Sequence, residues 1–122
     1  MRVRGIGFAG LGFCLLALPA LAHHTDIMLD FDKTVEKSGT VKEFHIASPH
    51  SALYVMVADE SGKSTEWQLD LESPGVLARA GWTPTTIVPG DKVTVTLHPL
   101  KDGSPGGQAL TVKLPDGTVM GD

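Results

Sequence analysis

Apolar and polar residues alternate in short runs along this chain, and glycine or proline stops each run. A period of two is the signature of a half-buried strand. The clearest case is Lys92 to His98, where Val93, Val95 and Leu97 alternate with Thr94 and Thr96. Leu53, Val55 and Val57 alternate with Tyr54, Met56 and Ala58. From Thr65 to Leu71, Trp67, Leu69 and Leu71 take one side while Glu66, Gln68 and Asp70 take the other. Leu110, Val112 and Leu114 form a further run. No repeat, heptad or low-complexity tract interrupts this pattern. Such a chain must bury several short strands against one another.

The first strand candidate is irregular. Gly39 opens Thr40-Val41-Lys42-Glu43-Phe44-His45-Ile46, and the apolar spacing slips between Val41 and Phe44. One extra residue in an alternating strand predicts a β-bulge, which bends the strand. Ser48-Pro49-His50-Ser51, Asp59 to Lys63, Pro89-Gly90-Asp91 and Pro115-Asp116-Gly117 read as turns. Pro99 to Gly107 reads as a loop, and its glycines let the chain turn sharply. Ser73 can cap a short helix with Pro74 at its first position. Val76, Leu77 and Ala80 give that helix an apolar side, Gly81 ends it, and Trp82 packs back to cover one end of the fold.

The order is three strands, a short helix and two strands. A bent first strand can serve both halves of a closed sheet, and closure removes exposed edges. The expected fold is all-β: a five-stranded OB-fold-like Greek-key barrel with one helix between the third and fourth strands. A flattened β-sandwich is the alternative.

The first 22 residues have the three parts of a secretory signal. Arg2 and Arg4 start it, Ile6 to Leu18 is uncharged and apolar, and Pro19-Ala20-Leu21-Ala22 ends it with small residues. A bilayer span needs about 18 or more such residues, which this run reaches only if its cleavage site is counted. Cys14 follows Phe13, where lipid attachment requires a small residue. The expected organisation is a signal peptide at 1–22, an N-terminal arm at 23–37 and a barrel domain at 38–122. The expected location is the periplasm or outside the cell, with no membrane span once the signal is cleaved.

Removing 22 of the 122 residues leaves 100, one small domain. Eight basic residues then face fourteen acidic ones, a net charge of −6 with histidine neutral. That balance leaves no basic patch for a phosphate backbone and argues against nucleic acid. It also leaves no cysteine, so stability must come from packing.

Cleavage after Ala22 would make His23 the amino terminus, with His24 beside it. An α-amine next to an imidazole can chelate copper(II), with a third ligand from His24, Asp26 or a loop histidine. A histidine at the second position can also bind copper(II) through amine, amide and imidazole. The bland alternative is a frayed terminus. The remaining histidines are His45, His50 and His98. Ligands of OB-folds sit on the second and third strands, between the first–second and fourth–fifth loops. His50 lies in the first of those loops and His98 begins the second, so both imidazoles are candidates to converge on a metal. Imidazole suits copper, zinc, nickel and iron. Each could instead hydrogen-bond the backbone and fix its loop. His23, His24, His50 and His98 are thus the candidate metal ligands. Tyr54, as a stacking platform, and Met56 join His50 and His98 as candidate ligand contacts. Met28 and Met120 are further soft donors.

Catalysis by protein groups alone has little support. Ser51 beside His50 is a sequence neighbour, not a nucleophile–base pair. No phosphate loop, H-E-x-x-H spacing or cysteine pair is present. No catalytic residue is assigned. The expected function is a non-catalytic exported binding or accessory module, with copper as its most concrete ligand. The alternative is an interaction subunit that docks on a periplasmic enzyme through the Tyr54/Met56 face. A metal-dependent enzyme ranks third.

Several segments carry a family likeness. They are Ala22-His23-His24, Gly39 to Phe44, Pro49-His50-Ser51, Trp67, Ser73 to Trp82, Pro89 to Val95, and His98-Pro99-Leu100-Lys101-Asp102-Gly103-Ser104-Pro105-Gly106-Gly107. Together they resemble domain-of-unknown-function family 6152, a group of small exported bacterial proteins. The resemblance implies export and one small β-rich domain. It implies no activity, because the family has none assigned. In topology alone, without a shared motif, the chain is also similar to periplasmic copper-binding OB-folds, and a shared fold does not license a shared function.

Overall fold

The computed structural model of the chain describes residues 26–121. The expected signal peptide at 1–22 and His23-His24 lie outside them. Six strands and one helix follow a single 3-10 turn at Asp26–Met28: β1 (Val35–His45), β2 (Ser51–Ala58), β3 (Ser64–Leu71), α1 (Pro74–Arg79), β4 (Lys92–Pro99), β5 (Gly106–Lys113) and β6 (Val119–Gly121).

β1, β2 and β3 form an antiparallel meander. β4 pairs with β1 on one side and with β5 on the other. A short parallel pairing of β3 with β5, at Gln68 to Asp70, closes the ring. The circular order β1-β2-β3-β5-β4 is the closed barrel expected from the sequence. The bulge is also where the spacing put it: Val41 faces Val55, Glu43 faces Tyr54, and the register shifts between them. There β1 passes from one partner to the other, since Val35 to Thr40 pair with β4 and Thr40 to His45 with β2.

Several boundaries differ from the sequence reading. β1 begins at Val35, so the strand reaches into the segment read as an arm. Its early residues are polar at every second position and half-buried between, a weak pattern to read. β5 begins at Gly106, inside the stretch read as loop. Gly106 and Gly107 are buried because β5 crosses close to β4 here. A methyl group on Gly107 would run into the His98 carbonyl oxygen. The tail forms the added strand β6, antiparallel to β5.

The core fills the barrel with Val41, Leu53, Val55, Leu69, Leu71, Val93, Val95, Leu97, Ala109 and Val112. Each fully buried aliphatic side chain stabilises the fold by about 1.5–3 kcal/mol. Leu77 of α1, Trp82 and Ile87 complete this cluster. Ser73 is the helix N-cap residue and Pro74 lies in the first turn. Gly81 takes a positive φ, and the Trp82 backbone N–H donates to the Leu77 carbonyl at 2.9 Å. Trp82 then packs near Phe44, ring centres 5.8 Å apart, and its Nε1 donates to the Gly121 carbonyl at 3.1 Å. The added strand and the helix cap are thereby joined.

Candidate functional site

Inward and outward residues alternate along every barrel strand, so the ladders fix which side chains share the outer surface. One row runs across four strand boundaries: His45 pairs with Ala52, Ala52 with Asp70, Asp70 with Gln108 and Gln108 with His98. Their neighbours Leu53, Leu69, Ala109 and Leu97 are buried, so this row faces outward. Tyr54 and Met56 lie on the same face, opposite Gln68 and Glu66, and both are half-buried. The predicted outward direction of Met56 and Tyr54 therefore holds.

His98 is the penultimate residue of β4 rather than the start of a loop, because pairing with β5 continues to Pro99–Gly107. Its ring is half-buried and held by the segment before β1. Nδ1 lies 2.7 Å from the Lys33 carbonyl oxygen. A carbonyl only accepts, so Nδ1 carries the proton and Nε2 keeps a lone pair in the neutral ring. The Phe31 ring meets His98 edge-on at 5.3 Å. The segment is itself tied down. Leu29 bridges to Leu100, the Asp30 N–H donates to the Pro99 carbonyl, and the Lys101 N–H donates to the Met28 carbonyl, both at 2.8 Å.

His50 lies in the loop between β1 and β2, after a cis Ser48–Pro49 bond, and is exposed. Ser51, beside it, is fully buried and accepts the Ala47 N–H at 3.3 Å, which pins the loop. That is a structural role for a hydroxyl that sits next to a histidine. The ladders separate the two candidate loop histidines. Ser51 pairs with Leu71, and the way from there to His98 crosses β3 and β5. Among the described residues, no hydrogen bond or ring contact joins His50 to His98, and no group of three or more His, Cys, Asp or Glu side chains gathers to hold a metal. His23 and His24 lie outside the described residues.

His45 makes a separate contact set. Its Nε2 is 2.8 Å from Glu43 Oε2, and its ring stands edge-on to Tyr54 at 6.1 Å. The hydrogen bond from His45 is the main cause holding the Glu43 carboxyl below the usual glutamate range. Glu43 and His45 are two apart and share the outer face just past the bulge. The slipped spacing could have located this pair. The Lys33–His98 bond had no signal in the sequence, because its acceptor is a main-chain oxygen from a segment without periodicity.

Among the described residues, no helix is long and apolar enough to cross a membrane. No curated protein and no solved structure matches this chain. The profile of the family described as "Family of unknown function (DUF6152)" matches residues 12–109, most of the length, and the protein belongs to that family.

Proposed function

We propose that the chain is an exported, non-catalytic binding module, and that its ligand is a copper-type cation held where His98 meets the N-terminal segment. The observation that carries this is the Nδ1 bond of His98 to the Lys33 carbonyl. Metal-binding histidines commonly donate their second ring N–H to a backbone carbonyl, which fixes the tautomer and turns the other nitrogen toward the metal. The segment that supplies the carbonyl also leads back to His24 and His23. Met28 is fastened to Lys101, two residues beyond the end of β4 at Pro99. Asp26–Met28 is a 3-10 turn that rises about 2 Å per residue, and the two residues before it extend at most about 7 Å, so about 11 Å of chain is available to bring the His24 imidazole and the processed amine toward His98. His50 plays no part in this arrangement.

The test is a copper(II) titration of protein beginning at His23, followed by calorimetry and by the nitrogen hyperfine pattern in electron paramagnetic resonance. One equivalent should bind with a Kd below about 1 μM, equivalent to roughly −8 kcal/mol. His23→Ala/His24→Ala should abolish it, and His50→Ala should leave it within twofold. Weaker binding of the unaltered protein, or a double variant indistinguishable from it, rules the proposal out.

A second use of the same molecule rests on Tyr54 and Met56. Both are half-buried on the outer face of β2 among polar pairs, and a tyrosine so placed is a ready anchor for another protein. In this reading the module docks on a periplasmic enzyme. Tyr54→Ala protein should lose a partner that unaltered protein retains from a periplasmic extract; recovery of the unaltered protein alone counts against it.

A further inference from the structure

A groove of about 550 Å³ lies on the outer face of β1, β4 and the β5–β6 turn. It is lined by Ser38, Thr40, Lys92, Thr94, Lys113 and Leu114, among others. The pairing places these groups in register. Ser38 and Thr94 are opposite each other, Thr94 is opposite Lys113, and Thr40 is opposite Lys92. Lys92 and Lys113 are thus one strand and two residues apart, about 8 Å between their backbones. Six residues of β4, about 20 Å, separate Lys92 from His98, so this groove is independent of the copper proposal.

Three lysines have partners of their own, and among the described residues the two at the groove do not. Lys33 pairs with Asp30, Lys42 with Glu66, and Lys37 lies over the Trp67 ring. Lys92 and Lys113 form no ion pair among the described residues. The nearby carboxylates are anchored to backbone rather than to these lysines: Asp91 accepts the Val88 N–H and Asp116 accepts the Thr118 N–H. Glu36 is one outward position beyond Ser38, opposite Thr96, and does not line the groove. Beside the lysines, Ser38 Oγ and Thr94 Oγ1 are 2.8 Å apart. One of those hydroxyls donates to the other, which leaves the acceptor's own proton to offer a ligand. Leu114 and Pro115 supply an apolar wall.

We propose that this groove binds a small molecule carrying an oxyanion, a carboxylate or a phosphate, clamped between the Lys92 and Lys113 ammonium groups and hydrogen-bonded by the hydroxyls. Two cations flank one cavity on a chain with an acidic balance, and neither is engaged in an ion pair among the described residues. Charge-assisted bonds to an oxyanion engage both.

The experiment is an amide-resolved NMR titration of the processed protein with two probes, inorganic phosphate and glucuronate. Saturable shifts should centre on Ser38 to Thr40, Lys92 to Thr94 and Lys113. The stronger probe identifies the source, phosphate ester or sugar acid. Lys92→Gln/Lys113→Gln should weaken binding at least tenfold, and raising the salt concentration should weaken it further. Lys63→Gln/Lys101→Gln, which alters two exposed lysines outside the groove, should leave it unchanged. Amide dispersion in each variant checks its fold. Saturation by neither probe, shifts spread over all exposed lysines, or equal losses in both double variants would overturn the proposal.

Discussion

His98 Nδ1 and the Lys33 carbonyl oxygen meet at 2.7 Å across 65 residues of sequence. This single bond fixes the tautomer of one imidazole and fastens the segment before β1 to the end of β4. The two effects can be separated. His98→Gln keeps an N–H that can reach Lys33 but has no ring nitrogen, whereas His98→Ala has neither. Copper affinity should fall at least tenfold in both. Stability should fall by about 1 kcal/mol only in the alanine variant, the usual net value of one hydrogen bond. Copper titration and urea unfolding read the two quantities. Undiminished copper affinity in His98→Gln removes the imidazole from the site.

Gly107 decides whether β4 and β5 can lie as close as they do. It is buried, its φ is +155°, and an added methyl would meet backbone of His98 rather than a flexible side chain. Gly107→Ala should therefore destabilise the barrel by about 2–4 kcal/mol, the range for strain at a constrained backbone position. Gly103→Ala is a useful contrast. It also has a positive φ, but nothing lies within 4 Å of the added carbon, so only the smaller conformational cost remains. Denaturant midpoints should order the variants accordingly.

The barrel was legible because its buried face is written in a period of two. Leu53, Val55, Leu69, Leu71, Val93, Val95, Leu97 and Val112 all face inward as their alternation requires. The bulge was legible for the same reason, as a slip in that period. Gly106, Gly107 and the Val119–Gly121 strand were not, because close backbone approach and a short edge pairing leave no apolar period to read. The site was legible only in part. Alternation placed Tyr54 and Met56 on the outer face. It could not show that His98 is held by a main-chain oxygen, or that the way from Ser51 to His98 crosses two strands.

The extra residue at Lys42 has a geometric purpose. Val41 and Phe44 face Val55 and Leu53 across the shift, so deleting Lys42 keeps the inward set inward. What it removes is the bend that lets β1 serve β4 and β2 in turn. The Lys42 side chain contributes little, since its 3.2 Å ion pair with Glu66 is solvent-exposed and such pairs are worth about 0–1 kcal/mol. Deletion of Lys42 should cost well over 2 kcal/mol, while Lys42→Ala should cost under about 1 kcal/mol. Comparable unfolding midpoints for the two would show that closure does not depend on the bend.

The Glu43–His45 pair gives a pH dependence whose sign follows from its geometry. The hydrogen bond from His45 lowers the folded pKa of Glu43, with smaller help from the His45 and Lys42 charges and opposition from desolvation. A carboxyl with a depressed folded pKa binds fewer protons when folded than when unfolded. Its contribution to stability is therefore complete above the unfolded value of about 4.3 and is lost as pH falls through the folded value. Because both groups are exposed, the readout should be the titration itself. Carbon-detected NMR should place the Glu43 midpoint below that of ordinary glutamates. His45→Ala should return it toward the usual range, while Tyr54→Phe, which keeps the ring beside His45, should not move it. A Glu43 midpoint unchanged by His45→Ala would mean that the 2.8 Å contact does not hold in solution.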